Sequence, residues 1–410
     1  MTEPRLDGAS VPKAGHRRAL RPLRDRPTWV SYVQISLWAW FLYAFGATQA
    51  LLRDEQGTSR SVGSLHGTAL AIGGLIGAAA TAPAIRRWGR GVVLRMSGIA
   101  LMVALLIYTW PDASPPVSMT GAALACLFGT AMLISANAFL LDHQARSGPA
   151  ALTQANALAS FFGLLAPLAV GLGAATVLGW RAGLWIAVAG LIIVEVWRGQ
   201  HVLSYGTREL ARTEAAHGRL PARVYWSLGV IMCFLSTEFS LTLWGADLLR
   251  ERCGFGAAAA AASLAAVTGG MLVGRVVGSR FAERYPSEAV LKGSIVFALL
   301  AFVLAWGFTL WPVVLLGMFL TGAGIGVHWP MGVARVVRAS GGNTDRASAA
   351  ASFAGGIAIA VAPFALGAMS DAIGFHIAFL LVPAVLVIAL GLMVYRPVPD
   401  DLEGADAIRT

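Results

Sequence analysis

The chain has 410 residues, of which 57% are hydrophobic and only 13% are charged. Its mean hydropathy is +0.68, a value too high for a soluble domain and typical of a protein that crosses a membrane several times. The net charge of +10 does not indicate a nucleic-acid partner, because nearly all Lys and Arg lie between or just beyond the apolar runs.

Several chemical classes are excluded by missing motifs. The sequence contains neither a G-x-x-x-x-G-K-[ST] phosphate loop nor an H-E-x-x-H helix, so it offers no means of ATP hydrolysis or zinc-assisted proteolysis. Cys126, Cys233 and Cys253 lack metal-ligand spacing and a disulfide framework. We therefore expect no enzymatic activity, no cofactor and no metal site.

The apolar runs predict an all-α membrane protein with twelve spans, each long enough to cross a bilayer. Residues 1–28 are polar and basic, and they predict a disordered cytoplasmic arm rather than a signal peptide, because the next apolar run spans a membrane. The predicted spans are 29–52, 64–85, 92–110, 117–141, 152–177, 181–197, 225–249, 256–281, 289–309, 312–337, 347–370 and 374–395.

The distribution of basic residues predicts the orientation. If the N-terminus is cytoplasmic, 26 of the 31 Lys and Arg lie on the cytoplasmic side, which places both termini there, with 397–410 as a cytoplasmic tail. The polar stretch 198–224 predicts a cytoplasmic linker between two six-helix halves, 29–197 and 225–396. The abundance of Ala, Gly and Arg is typical of a GC-rich bacterial genome, so we expect the inner membrane of a bacterium.

The two halves resemble each other, as in many secondary transporters. Span two with its exit reads GGLIGAAATAPAIRRWGR, and span eight reads GGMLVGRVVGSRFAERYP. Spans five and eleven contain ASFFGLLAPLAVGLGA and ASFAGGIAIAVAPFALGA. Small residues recur at four-residue intervals and let helices approach closely, either for packing alone or at surfaces that also move. These stripes are Gly73 and Gly77 in span two, and Gly270, Gly274 and Gly278 in span eight.

Glu238 is an acid in the middle of the seventh span. It lies about 20 Å from Tyr225 and about 16 Å from Leu249 at 1.5 Å per residue, close to the midplane of the hydrocarbon core. A carboxylate there costs at least a few kcal/mol unless it is paired, hydrated or protonated. Since burial favours the protonated form of a carboxyl group, Glu238 is the candidate proton-coupling residue. The alternative is a structural acid bonded to a neighbouring helix.

Twelve spans in two similar halves, with basic loops after spans two and eight, resemble the major facilitator superfamily over residues 29–396. The loop signature of that superfamily, G-x-L-A-D-R-x-G-R-K, is matched by Arg87, Gly89 and Arg90, while Arg86 replaces its aspartate and Ala82 its leading glycine. The resemblance implies alternating access, with spans one, four, seven and ten around a central cavity.

Within the superfamily, the chain most resembles the fucose-permease-like and YbjJ-like transporters. The drug-antiporter branch matches less well, because the span-four arginine is missing and Gly163, Pro167 and Gly171 only loosely follow the glycine-proline motif. The residues that carry the fucose-permease-like resemblance are Glu238, Trp244, Gly274 and Arg275, together with Asn137 and Asp142 in span four.

The spans that the resemblance assigns to the cavity offer several candidate site residues. His328 is a second proton-coupling candidate through a water-linked relay, or alternatively bonds a backbone carbonyl freed by Pro330. Asp247, Arg250, Glu251 and Arg252 cluster at the outer rim, where they are expected to be structural. The substrate-binding candidates are Trp38, Phe41, Asn137, Trp244 and Trp329, and the gating candidates are Arg87, Gly89, Arg90, Asp142, Gly274, Arg275 and Gly278.

The sequence therefore predicts a secondary active transporter that moves a small organic solute by alternating access, most simply as a monomer driven by protons. Proton-driven multidrug efflux is one alternative, in which an aromatic cavity and one acid bind lipophilic cations. The other is a membrane sensor that keeps the fold and moves nothing, because fold does not establish function.

Overall fold

A computed structural model describes residues 22–144, 147–199, 205, 220–341 and 343–399, and helices make up almost all of them. Most of the predicted arm, linker and tail lie outside these residues. The helices are α1 (Arg26–Gln56), α2 (Arg60–Trp88), α3 (Arg90–Tyr108), α4 (Pro115–Gln144), α5 (Gly148–Ala174), α6 (Arg181–Arg198), α7 (Ala222–Cys253), α8 (Ala257–Ser263), α9 (Ala265–Ala282), α10 (Ser287–Gly307), α11 (Trp311–Ile325), α12 (His328–Ala339), α13 (Thr344–Ile373), α14 (Phe375–Ala378) and α15 (Leu381–Tyr395).

The helices form twelve crossings, as predicted, because α8 with α9, α11 with α12, and α14 with α15 each make one interrupted crossing. Among the described residues, eleven segments are long and apolar enough to span a membrane. The remaining crossing is α6, where Arg181, Glu195 and Arg198 lower the apolar content of an 18-residue helix. Since the number of crossings is even, α1 begins and α15 ends at the same end of the bundle, called the terminal end here; the other is the opposite end.

The glycine stripes pack helices within each half. A Cβ atom at Gly73 would lie 1.9 Å from the Ala123 carbonyl oxygen, and one at Gly77 would lie 2.3 Å from that of Leu127, so α2 and α4 are in backbone contact. In the other half, Gly270 and Gly274 face the carbonyl oxygens of α11 in the same way. The repeat seen in the sequence thus corresponds to equivalent helix pairs in the two halves.

The halves meet where α2 packs on α13, where α5 packs on α8 and α9, and where α1 packs on α7 and α8. The α1–α7 pair is close because Gly46 faces the Thr242 backbone, and a Cβ there would lie 2.3 Å from that carbonyl oxygen. This pair matters for function, because α7 carries Glu238 and α1 belongs to the other half.

Candidate functional site

Arg275 forms the centre of a polar cluster at mid-depth in the bundle. It lies on α9 in the C-terminal half, seven residues before the helix ends, and its side chain bonds to both halves. Its Nη1 donates to Ser160 Oγ of α5 at 3.2 Å, and its Nη2 donates to the Tyr43 hydroxyl of α1 at 3.3 Å. The sequence predicted Arg275 as a gating residue near the cytoplasmic end, whereas its guanidinium joins the halves near the middle.

The third bond of Arg275 depends on a proline in another helix. Its Nε donates to the Gly326 carbonyl at 3.3 Å, in the break between α11 and α12. In a continuous helix that carbonyl would accept from the residue four positions later, which is Pro330 and has no N–H. The proline thus frees the acceptor that holds the guanidinium in place.

Tyr43 is held against α5 by a glycine. A Cβ atom at Gly163 would lie 2.4 Å from the Tyr43 ring, so only glycine leaves room for the ring at this place. The phenol is therefore positioned by α5 while it accepts a hydrogen bond from α9. Tyr43 and Ser160 were not among the predicted site residues, because neither residue type stands out within an apolar span.

Glu238 completes the cluster from α7. Its side chain is half-buried, and Arg275 is the basic group that acts on it electrostatically. Within the described part of the chain, its carboxylate makes no hydrogen bond and no ion pair within 4.0 Å. The structure thus brings an acid and an arginine from two helices of one half next to a phenol of the other half, without joining the two charges directly.

Beyond this cluster, the bundle is closed towards the opposite end. Every residue from 44 to 50 of α1 and from 243 to 249 of α7 is buried. Seven helical residues correspond to about 10 Å of sealed protein. Towards the terminal end, Asn156, one turn of α5 from Ser160, is exposed. In α5 and α7 the seal therefore lies between the cluster and the opposite end, whereas α1 is also buried at residues 34–38 on the terminal side.

Three ion pairs fasten the halves together at the opposite end. Arg53 of α1 binds Asp247 of α7, and their side chains are only 10% and 3% exposed. Arg250 binds Asp54 at 2.7 Å, and the more exposed Arg60 binds Glu251. The sequence predicted Asp247, Arg250 and Glu251 as structural charges at the outer rim. It did not reveal their partners, because these lie nearly two hundred positions away in the chain.

Asp371 adds an inter-half helix cap at the same end. Its carboxylate, at the end of α13, accepts from the backbone N–H of Ser61 at 2.8 Å and from that of Arg60 at 3.3 Å. These are otherwise unpaired amides at the N-terminus of α2, which favours negative charge. Separation of the halves at this end would therefore break three ion pairs and one cap.

Two of the predicted aromatic substrate contacts lie in the interior of the N-terminal half. Phe41 is fully buried and packs against Phe45 and Tyr108. Trp38 is 7% exposed, and its ring lies against Gly129 of α4, where a Cβ atom would come within 2.1 Å. This packing disagrees with their predicted role, because residues on one helical face can be covered by a neighbouring helix rather than by a cavity.

The other predicted substrate contacts have different surroundings. Trp244 is 3% exposed and belongs to the opposite-end seal, where its indole N–H donates to the Pro363 carbonyl at 3.0 Å. Asn137 and Trp329 are half-buried, and Trp329 lies near Gly355 of α13. Asn137 Oδ1 has no hydrogen-bond partner among the described residues. Asn137 and Trp329 therefore remain candidates for substrate contact.

His328 faces away from the cluster. Its ring stacks on Phe234 with centroids 4.1 Å apart, and its Nε2 is 3.2 Å from Ser294 Oγ. It is 1% exposed. The predicted relay to Glu238 has no support in these contacts, and the alternative was also wrong, because the carbonyl freed by Pro330 bonds Arg275.

The predicted gating residues of the basic loop lie at the terminal end. Gly89 connects α2 to α3 with a φ of 84°, which favours glycine, and the Arg87 guanidinium lies over the Trp88 ring. Arg90 binds Asp142 at 2.7 Å, and both belong to the N-terminal half. Asp142 was predicted to belong to a gate between the halves, but this ion pair lies within one half and does not join them.

The glycine stripe on α9, predicted to act in gating, also makes its contacts within one half. Gly274 and Gly278 face Ala323 and Val327, which follow α9 in the same half. A Cβ atom at Gly274 would lie 2.0 Å from the Ala323 carbonyl oxygen. This geometry favours packing inside the C-terminal half over movement between the halves.

Comparison with solved structures identifies the architecture. The nucleoside transporter NupG, in a mutant form, aligns with a TM-score of 0.73 at 15% identity, over 90% of this chain and 98% of that one. The inward open xylose transporter XylE from E. coli also gives 0.73 at 15% identity, over 93% and 98%. A variant of the E. coli fucose:proton symporter FucP gives 0.59 at 16% identity, over 90% and 98%.

The family comparison points the same way. Residues 226–409 match the family model of the Major Facilitator Superfamily. The chain has the major facilitator fold. The fold predicted from the sequence is thereby confirmed, and the protein is a multi-pass membrane protein. The solved structures that it resembles are those of transporters. No curated protein sequence matches the chain.

Proposed function

We propose that the protein is a secondary active transporter that moves a small organic solute by alternating access and is driven by protons. The observation that carries this proposal is the cluster of Arg275, Glu238 and Tyr43, which lies at mid-depth and contains groups from both halves. Charged side chains at that depth are costly and mark substrate and ion pathways in membrane proteins.

The seal on one side of the cluster supports alternating access. In this arrangement, buried segments of α1 and α7 and three ion pairs close the opposite end. A transporter of this kind must also reach a state in which the halves separate there and close at the terminal end. The three ion pairs suit that movement, since their charges become hydrated when the halves separate.

Glu238 is suited to carry the proton. A carboxyl group without a direct partner can gain and lose a proton without breaking an ion pair, and the nearby Arg275 tempers the cost of its charged form. Exposure towards one end at a time would let Glu238 load from one compartment and release into the other. His328 has no comparable access, because it is buried against Phe234.

The orientation follows from the positive charges. With most Lys and Arg on the cytoplasmic side, the terminal end faces the cytoplasm. The described arrangement is then the one whose site opens towards the cytoplasm. We place the protein in the inner membrane of a bacterium, where a monomer contains the whole site.

The test is solute flux in liposomes that contain only this protein. Radiolabelled solutes of several classes should accumulate when a pH gradient is imposed, and empty liposomes supply the baseline. Expulsion of lipophilic cations in exchange for protons would instead assign the protein to multidrug efflux. No flux of any solute class in either direction would contradict transport and leave the fold with a sensing role.

A further inference from the structure

Building on the transporter function proposed above, we propose that the substrate is a small organic anion whose carboxylate binds Arg275 and Tyr43, and that it moves together with a proton carried by Glu238. The inference rests on the hydrogen-bond donors of the mid-depth cluster and on the absence of a direct anionic partner for its arginine among the described residues. It names the substrate class that the site selects.

The guanidinium of Arg275 has unused capacity. Of its five N–H groups, three donate to neutral acceptors, which are the Gly326 carbonyl, Ser160 Oγ and the Tyr43 hydroxyl. These bonds measure 3.2–3.3 Å, whereas charge-assisted bonds to carboxylates are usually about 2.7–2.9 Å. Two N–H groups therefore remain, and the planar fork suits a carboxylate better than the hydroxyls that it now contacts.

Tyr43 supplies a further donor. Its oxygen accepts from Arg275, so its own hydrogen is directed elsewhere, and no acceptor for it is present among the described residues. Ser160 differs, because its hydroxyl donates to the Asn156 carbonyl at 2.9 Å. An anion next to Arg275 can thus receive bonds from a cation of one half and from a phenol of the other. Such a ligand would connect the halves at mid-depth.

Glu238 makes this binding depend on protons. When Glu238 is ionised, it balances the charge of Arg275 and repels the carboxylate of a substrate. When Glu238 is protonated, the site has a net positive charge and attracts that carboxylate. The other ionisable groups that act on this site are few. Tyr43 faces the site from α1. The helices α5, α8 and α11 carry no ionisable side chain, and α13 and α15 carry theirs only near their ends. On α12, His328 is turned towards Ser294, Arg335 binds Glu288, and Arg338 lies near the terminal end of the helix. Anion and proton therefore enter together, with no net change in charge.

The experiment compares carboxylates with their uncharged amides in the full-length purified protein. Lactate, pyruvate, benzoate and succinate are tested against lactamide, pyruvamide, benzamide and succinamide, with thermal unfolding as the readout. We expect at least one carboxylate to raise the melting temperature and its amide to have no effect. Apparent affinity should be about tenfold or more higher at about pH 5.5 than at about pH 8, because protonation of Glu238 permits binding.

Two variants locate the interaction. Arg275→Lys keeps the charge but loses the fork, so carboxylate affinity should fall about tenfold or more. Glu238→Gln should bind the carboxylate at both pH values and lose the pH dependence. Tyr43→Phe serves as a milder variant should Arg275→Lys fail to fold, and it should weaken carboxylate binding without affecting the thermal stability of the unliganded protein strongly.

Anion recognition and transport fail in different ways. Equal stabilisation by an amide, preference for a cation, or stabilisation by no carboxylate at either pH would overturn the anion proposal. A neutral or cationic solute that still accumulates in liposomes would leave the transporter function intact. Carboxylate binding that depends on Arg275 without any flux would instead contradict transport while supporting the binding site.

Discussion

Replacement of Asp247 with asparagine removes one charge from the most buried ion pair between the halves. Arg53 would then lie unpaired in the seal, where its side chain is 10% exposed and lies beside the Trp244 ring at 5.4 Å. Loss of one partner from a buried pair costs about 3–5 kcal/mol. In the alternative state, in which the halves separate at this end, water hydrates Arg53 and most of that cost disappears.

The mutation therefore shifts the balance between the two states. A change of about 3 kcal/mol alters their ratio by a factor of more than about 100, since 1.4 kcal/mol corresponds to a factor of ten. Glu251→Gln is the matched control in the same cluster, because the Arg60–Glu251 side chains are 27% and 38% exposed. Such a pair contributes less than about 1 kcal/mol, so its loss changes the ratio by less than about fivefold.

Spin labels across the opposite end measure this balance. Ser114 is exposed in the N-terminal half, and a Cβ atom at Gly256 in the C-terminal half meets nothing within 4 Å, so cysteines fit at both positions. In a background that lacks native cysteines, pulsed electron paramagnetic resonance should show a longer distance for Asp247→Asn and the original distance for Glu251→Gln. An unchanged distance distribution in folded Asp247→Asn would refute the role of this pair in sealing the halves.

Three further predictions follow from local geometry. Gly274→Leu should lower the free energy of unfolding by about 1–3 kcal/mol or more, and with it the folded yield, because the new side chain meets the Ala323 backbone. Gly293→Leu on α10 meets nothing and should be tolerated, so equal stability of the two variants would contradict the packing role. Pro330→Ala restores an N–H that competes with Arg275 for the Gly326 carbonyl, so the affinity for substrate should fall. Pro83→Ala on the exposed face of α2 should leave that affinity unchanged, and similar affinities of the two variants would show that Pro330 does not act on the site. In cells, cysteine at Ser114 should react with an impermeant thiol reagent and cysteine at Gly89 should not, and labelling of the latter would reverse the orientation.

Local sequence patterns predicted the architecture well. Apolar length defined the twelve crossings, and the four-residue glycine spacing identified the helix faces that pack most closely. The mid-span acid was also visible, because a single charge inside an apolar run needs no knowledge of the fold to be noticed. The predicted end of the seventh span at Leu249 was four residues short of Cys253, since charged residues extend the helix past the apolar core.

The site required long-range information that spacing does not contain. Tyr43 and Arg275 are 232 positions apart, and Arg53 and Asp247 are 194 apart. Trp38 and Phe41 share a helical face, but the sequence does not specify that α3 and α4 cover it. The sequence did indicate a free backbone carbonyl, but the predicted hydrogen-bond partner of that carbonyl was wrong. Pro330 four residues after Gly326 predicts a free carbonyl, and the residue that uses it is Arg275 of another helix rather than the adjacent His328.

The most direct test of proton coupling compares Glu238→Gln with the parent protein in liposomes. Glutamine resembles the protonated acid in shape and cannot release a proton, so accumulation driven by a pH gradient should disappear. Exchange of labelled for unlabelled substrate needs no net proton movement and should persist, which also shows that the variant is folded. If Glu238→Gln concentrates substrate against its gradient as the parent does, Glu238 is not the coupling acid and the account is contradicted.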